Sequence, residues 1–122
     1  MRDHQKLRVF QQADALAESV YRQSQCFPRG EEFGLTSQVR RAAISIVSNI
    51  VEGCARSSET EYLRFLDIAY GSAKELEYQI GLCARLEFIS AQHFEELNQK
   101  CAATAKSLCR LIIVLRQRAP CQ

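Results

Sequence analysis

Tyr62, Leu66, Ala69, Ala73, Leu76, Ile80 and Cys83 follow one another at steps of four and three, a seven-residue repeat. On a helix such a repeat lies along one stripe, whereas on a strand it scatters over both faces, so only a helix can bury it. Phe94, Leu97, Cys101, Thr104, Leu108, Leu111 and Leu115 make a second repeat of the same kind. Val39, Ala43, Ile46, Ile50 and Gly53 make a third, widened on one side by Ala42, Val47, Val51 and Cys54. Phe10, Ala13, Ala17 and Val20 supply a shorter fourth stripe. Four amphipathic helices with short connections bury their stripes against one another as an all-α, up-down-up-down antiparallel four-helix bundle.

The punctuation sets the helices at about 8–26, 36–56, 58–87 and 90–118, one domain over residues 1–122. Pro28, Gly30 and Gly34 end the first helix, and Glu31-Glu32 reads as a solvated acidic patch. Thr36 or Ser37 can cap the second helix. Ser58 with Glu61 spells a capping box, in which the hydroxyl takes one free N–H and the carboxylate reaches back to another. Ser90 caps the fourth. Residues 1–7 and 119–122 are expected to be poorly ordered tails. The chain has two Pro, five Gly and no Trp, which leaves little to build strands or turns from.

Two features do not fit a simple surface helix. "LIIVL" at 111–115 is apolar all round, so either that turn lies deep in the core or its second face, with Ile113 and Val114 outside the helix's own stripe, meets another copy. Gly71-Ser72-Ala73 thins the middle of the third helix, so that a neighbour can approach closely. In the second helix Asn49 and Glu52 interrupt an apolar run. Glu52 and Arg56 are spaced as an i,i+4 pair, and Asn49 can bond across a helix interface. Asn49, Glu52, Gly71, Ser72, Ile113 and Val114 are therefore the candidate oligomer contacts.

The residues give no chemistry a place to start. The two His are His4, in the N-terminal segment, and His93, in the first turn of the fourth helix, and neither has a spaced partner. No E-x-x-H pair and no G-x-x-x-x-G-K-[ST] loop occurs, so no catalytic residue, metal, cofactor or small-molecule substrate is expected. The six Cys stand at 26, 54, 83, 101, 109 and 121 without a C-x-x-C, and read as reduced thiols in a core. No apolar run approaches the ~20 residues that span a bilayer, and no leader pattern opens the chain, so the expected place is the cytoplasm, away from membranes.

The net charge of +2 is unevenly spread. Residues 1–56 hold eight Lys/Arg and six Asp/Glu, residues 57–96 three and eight, and residues 97–122 five and none. The acid-free segment makes RNA a candidate partner, with Arg40, Arg41 and Arg56 on the second helix and Lys106, Arg110, Arg116 and Arg118 on the fourth as the candidate phosphate contacts. The competing reading is a structural or protein-interaction oligomer whose basic residues are scattered and neutralised by the acids of the third helix.

"FGLTSQVRRAAISIVSNIVEGCAR" followed by "EYLRFLDIAYGSAKELEYQIGLCARL" resembles the family known as four helix bundle proteins. That family includes proteins encoded in intervening sequences of the large ribosomal RNA and accessory factors of diversity-generating retroelements. Phe33-Gly34-Leu35, Arg40 to Ala43, Ser48-Asn49-Ile50, Glu52-Gly53, Gly71-Ser72 and Glu75-Leu76-Glu77 carry the resemblance, which runs from about Phe10 to Leu115. Val47 departs from it, at a position where the family commonly has Pro. The resemblance implies a bacterial, non-enzymatic bundle that self-associates, with pentameric rings known in the family. Through the accessory relatives it also implies a basic surface that engages nucleic acid and a reverse transcriptase.

Overall fold

The computed structural model describes residues 2–118. Its helices are α1 (Arg8–Ser24), α2 (Leu35–Ala55), α3 (Glu59–Arg85) and α4 (Ala91–Arg118), with no strand among the described residues. Each packs on its neighbours in chain order, and α4 closes on α1, while the backbones of the diagonal pairs α1–α3 and α2–α4 stay apart. This is the square, up-down-up-down bundle. Its antiparallel register is fixed on α2–α3 by three contacts in sequence, Arg41 with Glu75, Ser45 with Ser72, and Gly53 beneath Tyr62 and Phe65.

The stripes are buried as the repeats require. All seven members of the α3 stripe are buried, as are Val39, Ala43, Ile46, Ile50 and Gly53 of α2. On α4, Phe94 and Leu111 pack at the margin of the core, and Ala105 and Ile112 join it. α2 and α3 approach closely at Gly53, where a Cβ would lie 3.0 Å from Phe65 Cβ and 3.2 Å from Tyr62 Cδ1. Gly71 has nothing over it within 4 Å and faces outward. Gly71 itself therefore serves no close packing inside the bundle, whereas its neighbours do: Ser72 bonds Ser45 of α2 and Ala73 is fully buried.

The helix starts differ from the expected ones in instructive ways. Neither Thr36 nor Ser37 caps α2. Gly34 occupies the cap, and Glu31 folds back so that its Oε1 accepts the Leu35 N–H at 3.1 Å. One half of the "acidic patch" is thus a capping group, favoured at a helix N-terminus by its charge. At α3 the Ser58 hydroxyl accepts the Glu61 N–H at 3.1 Å, but the carboxylate arm of the capping box is absent. Arg64 donates two bonds to the Glu61 carboxylate instead and holds it below the usual carboxylate range. Ser90 caps α4 through the His93 N–H. α3 ends with Glu87 in the left-handed region (φ 63°), where the Phe88 N–H reaches back to the Cys83 carbonyl.

The N-terminal segment is ordered rather than loose. Asp3 caps a 3-10 turn at His4–Lys6, and the Arg2 N–H donates to the Cys54 carbonyl at 2.8 Å. The Arg2 guanidinium lies 3.9 Å from the Tyr62 ring centroid and pairs with Glu59. A cation on an aromatic face plus a main-chain bond fixes the segment across the α2–α3 end of the bundle. The expected 119–122 tail lies outside the described residues.

Candidate nucleic-acid interface

The antiparallel topology decides which basic residues can act together. The end that holds the start of α1, the turn from α2 to α3 and the end of α4 gathers residues 2–8, 52–67 and 110–118. These carry eight Lys/Arg against five Asp/Glu, a net +3. Residues 18–41 and 74–100, toward the other end, carry seven against eight, a net −1. The bundle is electrically polar along its axis, which the segment charges of the sequence only partly express.

Each of the seven candidate cations has a definite place. Arg40 is turned inward: its Nε donates to the Ser24 hydroxyl at 2.8 Å, and its guanidinium covers the Tyr21 ring. Arg41 is paired with Glu75 at 3.1 Å and bonded to Gln38. Arg116 is paired with Asp67. Arg56 and Arg64 both lie over the Phe65 ring, 4.8 and 4.7 Å from its centroid. The expected Glu52–Arg56 pair does not form, because the arginine side chain takes the aromatic surface instead. Lys106, Arg110 and Arg118 are exposed on α4 and make no ion pair among the described residues. Arg40 and Arg41 lie some 16 residues, about 24 Å, along α2 from Arg56 and on the opposite corner of the square from α4. They do not share a surface with Arg110 and Arg118.

Ser45 and Asn49 of α2 are tied down within the chain. The Asn49 amide donates to the Ser45 carbonyl at 2.7 Å and to its hydroxyl at 3.1 Å, and the Ser45 hydroxyl bonds that of Ser72 on α3 at 2.8 Å. Asn49 thus braces the α2–α3 seam through Ser45. Glu52 is exposed beside Val47, Ser48 and Val51 along a shallow groove of about 360 Å³. Ile113 and Val114 are each half exposed, as the all-round apolar "LIIVL" requires, and point to the two flanks of the outer face of α4.

Cys54, Cys83 and Cys101 are buried, Cys109 is half-buried and Cys26 is exposed. Burial pushes the Cys83 thiol up to about 11 and the Cys101 thiol up to about 12, so neither is a nucleophile near neutrality. Burial also raises the Tyr62 hydroxyl to about 12, with the neighbouring Cys54 thiol as the next cause. Among the described residues no three His, Cys, Asp or Glu side chains gather as metal ligands. No helix of the described residues is long and apolar enough to cross a membrane.

The sequence pattern did not single out the exposed aromatics. Phe33 is 91% exposed on the α1–α2 connection, and Tyr78 stands outward on α3 near Arg85. Phe33 sits in a stretch that reads as turn, between two acids and a glycine. Apart from the family resemblance that Phe33-Gly34-Leu35 carries, its signal is a large apolar side chain where nothing helical can bury it.

The solved structures and family models agree with this architecture. The chain is similar to the crystal structure of a protein of unknown function from the S23 ribosomal protein family of Bacteroides thetaiotaomicron, with a TM-score of 0.80 and 27% identity, covering 85% of this chain and 97% of that one. Among curated proteins none matches. The model of the family described as 23S rRNA-intervening sequence protein matches residues 5–110. With that match over most of its length and the four-helix fold beneath it, the chain belongs to the 23S rRNA-intervening sequence protein family.

Proposed function

We propose that this protein is a non-catalytic, self-associating scaffold that binds RNA through its basic end. The observation that carries the reading is the axial charge separation, with Arg110 and Arg118 without acidic partners among the described residues at the +3 end. Arginine suits the task, since its planar fork can hold two oxygens of one phosphate. Assembly multiplies the field: five copies, the ring that the resemblance implies, bring five such ends into one object. The family's description links it to 23S rRNA, and an accessory role beside a reverse transcriptase is the partner that the resemblance adds.

Phosphate contacts carry no sequence information, so a transcript of an rRNA intervening sequence and an unrelated RNA of equal length should bind alike. Arg110→Glu/Arg118→Glu should abolish binding at 150 mM salt. Arg40→Glu/Arg41→Glu should leave it within a factor of about three, because those two guanidiniums are already engaged. The reverse ranking would move the RNA surface to the other end of the bundle.

A second reading has an observation of its own. Arg41–Glu75 and Arg116–Asp67 are cations neutralised by acids of α3, as a purely structural or protein-binding oligomer would have them. It is preferred if neither double reversal changes RNA retention in a filter assay and the wild type retains none at 50 mM salt.

A further inference from the structure

Phe33 is the most exposed large apolar side chain of the described residues, at 91%, and Glu32 beside it is exposed and makes no ion pair among them. On the opposite side of the square, the α3–α4 seam opens into a groove of about 270 Å³. Tyr70, Ala105 and Cys109 contribute its apolar wall. On the rim, Lys74 is neutralised by Glu77 at 2.7 Å, which leaves Lys106 as the rim cation without an acid among the described residues. A cavity of about 150 Å³ suffices for a benzene molecule, so this groove has room for a phenyl ring.

We infer that Phe33 of one copy of this chain seats in the α3–α4 groove of the next, with Glu32 against Lys106. The knob is acidic and aromatic, and the groove is apolar with an unpaired cation, so size and charge are complementary. Ile113 lies one turn beyond Cys109 on the same face of α4 and prolongs the apolar lane. Knob and groove belong to opposite sides of one molecule, so a two-fold contact cannot engage both. The contact is head-to-tail, and each copy offers a free groove to one neighbour and a free knob to another, the condition for a ring. This assignment rests on the self-association proposed above and is independent of RNA binding.

Cys109 supplies a native reporter in the groove. Phe33→Cys, placed in a Cys26→Ser/Cys121→Ser background and treated with diamide, should form disulfides between copies. Because each chain then carries one Cys at the knob and one in the groove, a head-to-tail contact yields a ladder beyond dimer on a non-reducing gel. Adding Cys109→Ser should erase the ladder. Covalent dimers alone, or cross-linking indifferent to Cys109→Ser, would overturn the contact. Glu32→Lys and Lys106→Glu should each raise the dissociation constant of the assembly about tenfold or more, and their combination should restore it. Failure of the combination to restore it also counts against the pairing. Light scattering of the unmodified protein separates the two levels. A 13.9 kDa particle at micromolar concentration ends the self-association reading itself. A larger particle with no Cys109-dependent ladder ends this contact alone.

Discussion

Three glycines inside the helices make a graded test of the packing. Gly71 and Gly81 have nothing within 4 Å of where a Cβ would stand, so Ala at either position meets no obstacle. Each change should then return the full helical preference of Ala over Gly, about 0.8–1.0 kcal/mol. The two sites lie ten residues apart, about 15 Å along α3, far enough to add. Gly71→Ala/Gly81→Ala should therefore gain about 1.6–2 kcal/mol. For a chain of this size that raises Tm by about 5–10 °C. Gly53→Ala should show no such gain, its net effect running from about zero to a loss of about 2 kcal/mol. Its methyl would sit 3.0 Å from Phe65 Cβ and 3.2 Å from Tyr62 Cδ1, and both rings are buried, 7% and 1% exposed, with no room to retreat. Overpacking of that kind costs about 1–3 kcal/mol, which exceeds the propensity gain at its upper end and cancels it at its lower. Thermal unfolding followed by circular dichroism at one fixed protein concentration reads all three. A Gly53→Ala protein stabilised as much as Gly71→Ala would refute the close approach of α2 and α3. A Gly71→Ala protein that loses stability or assembly would place another copy over Gly71.

Other outcomes follow from the same geometry. Ile50→Asp or Leu66→Asp should leave the chain unfolded by circular dichroism, since each side chain is fully buried and an unpaired carboxylate there costs several kcal/mol. Glu87→Gly should raise stability by about 1 kcal/mol in a denaturant titration, because Gly adopts the left-handed cap at φ 63° without the Cβ penalty. Stability should also fall in alkali. The raised Cys101 and Tyr62 groups lose protons more readily in the unfolded chain than in the folded one, so their contribution is intact below pH 9 and is lost progressively from about pH 9 to pH 12. Cys101→Ala should flatten the first part of that decline.

The parts of this structure legible in the sequence are those fixed by period. The α3 stripe was readable because seven apolar residues at steps of four and three admit one burial solution. The outward placement of Ile113 and Val114 was readable for the converse reason, since no single stripe can hold five consecutive apolar residues. Local competition was not readable. Glu31 caps α2 in place of Thr36 or Ser37 because the chain turns back on itself there, which no spacing encodes. Arg56 prefers the Phe65 ring to Glu52, a choice made by tertiary contact between α2 and α3. The segment before α1 has no apolar periodicity, and it is held by one guanidinium on Tyr62 and one main-chain bond to Cys54. The candidate cations were legible as a list but not as a surface, because only the antiparallel fold shows that Arg40 and Arg41 lie far from Arg110 and Arg118.

If the basic end of the bundle contacts RNA phosphates, binding must release counterions and weaken as salt rises. A labelled single-stranded RNA titrated with the protein between 50 and 200 mM salt should give log K falling by about 0.7 per phosphate contact per decade of salt. Arg56, Arg110 and Arg118 engaged on one subunit predict a slope near −2, and Arg110→Glu/Arg118→Glu, titrated below 150 mM salt, should make it shallower, to about −0.7. No binding at 50 mM salt, or a slope that the double reversal leaves unchanged, contradicts the account.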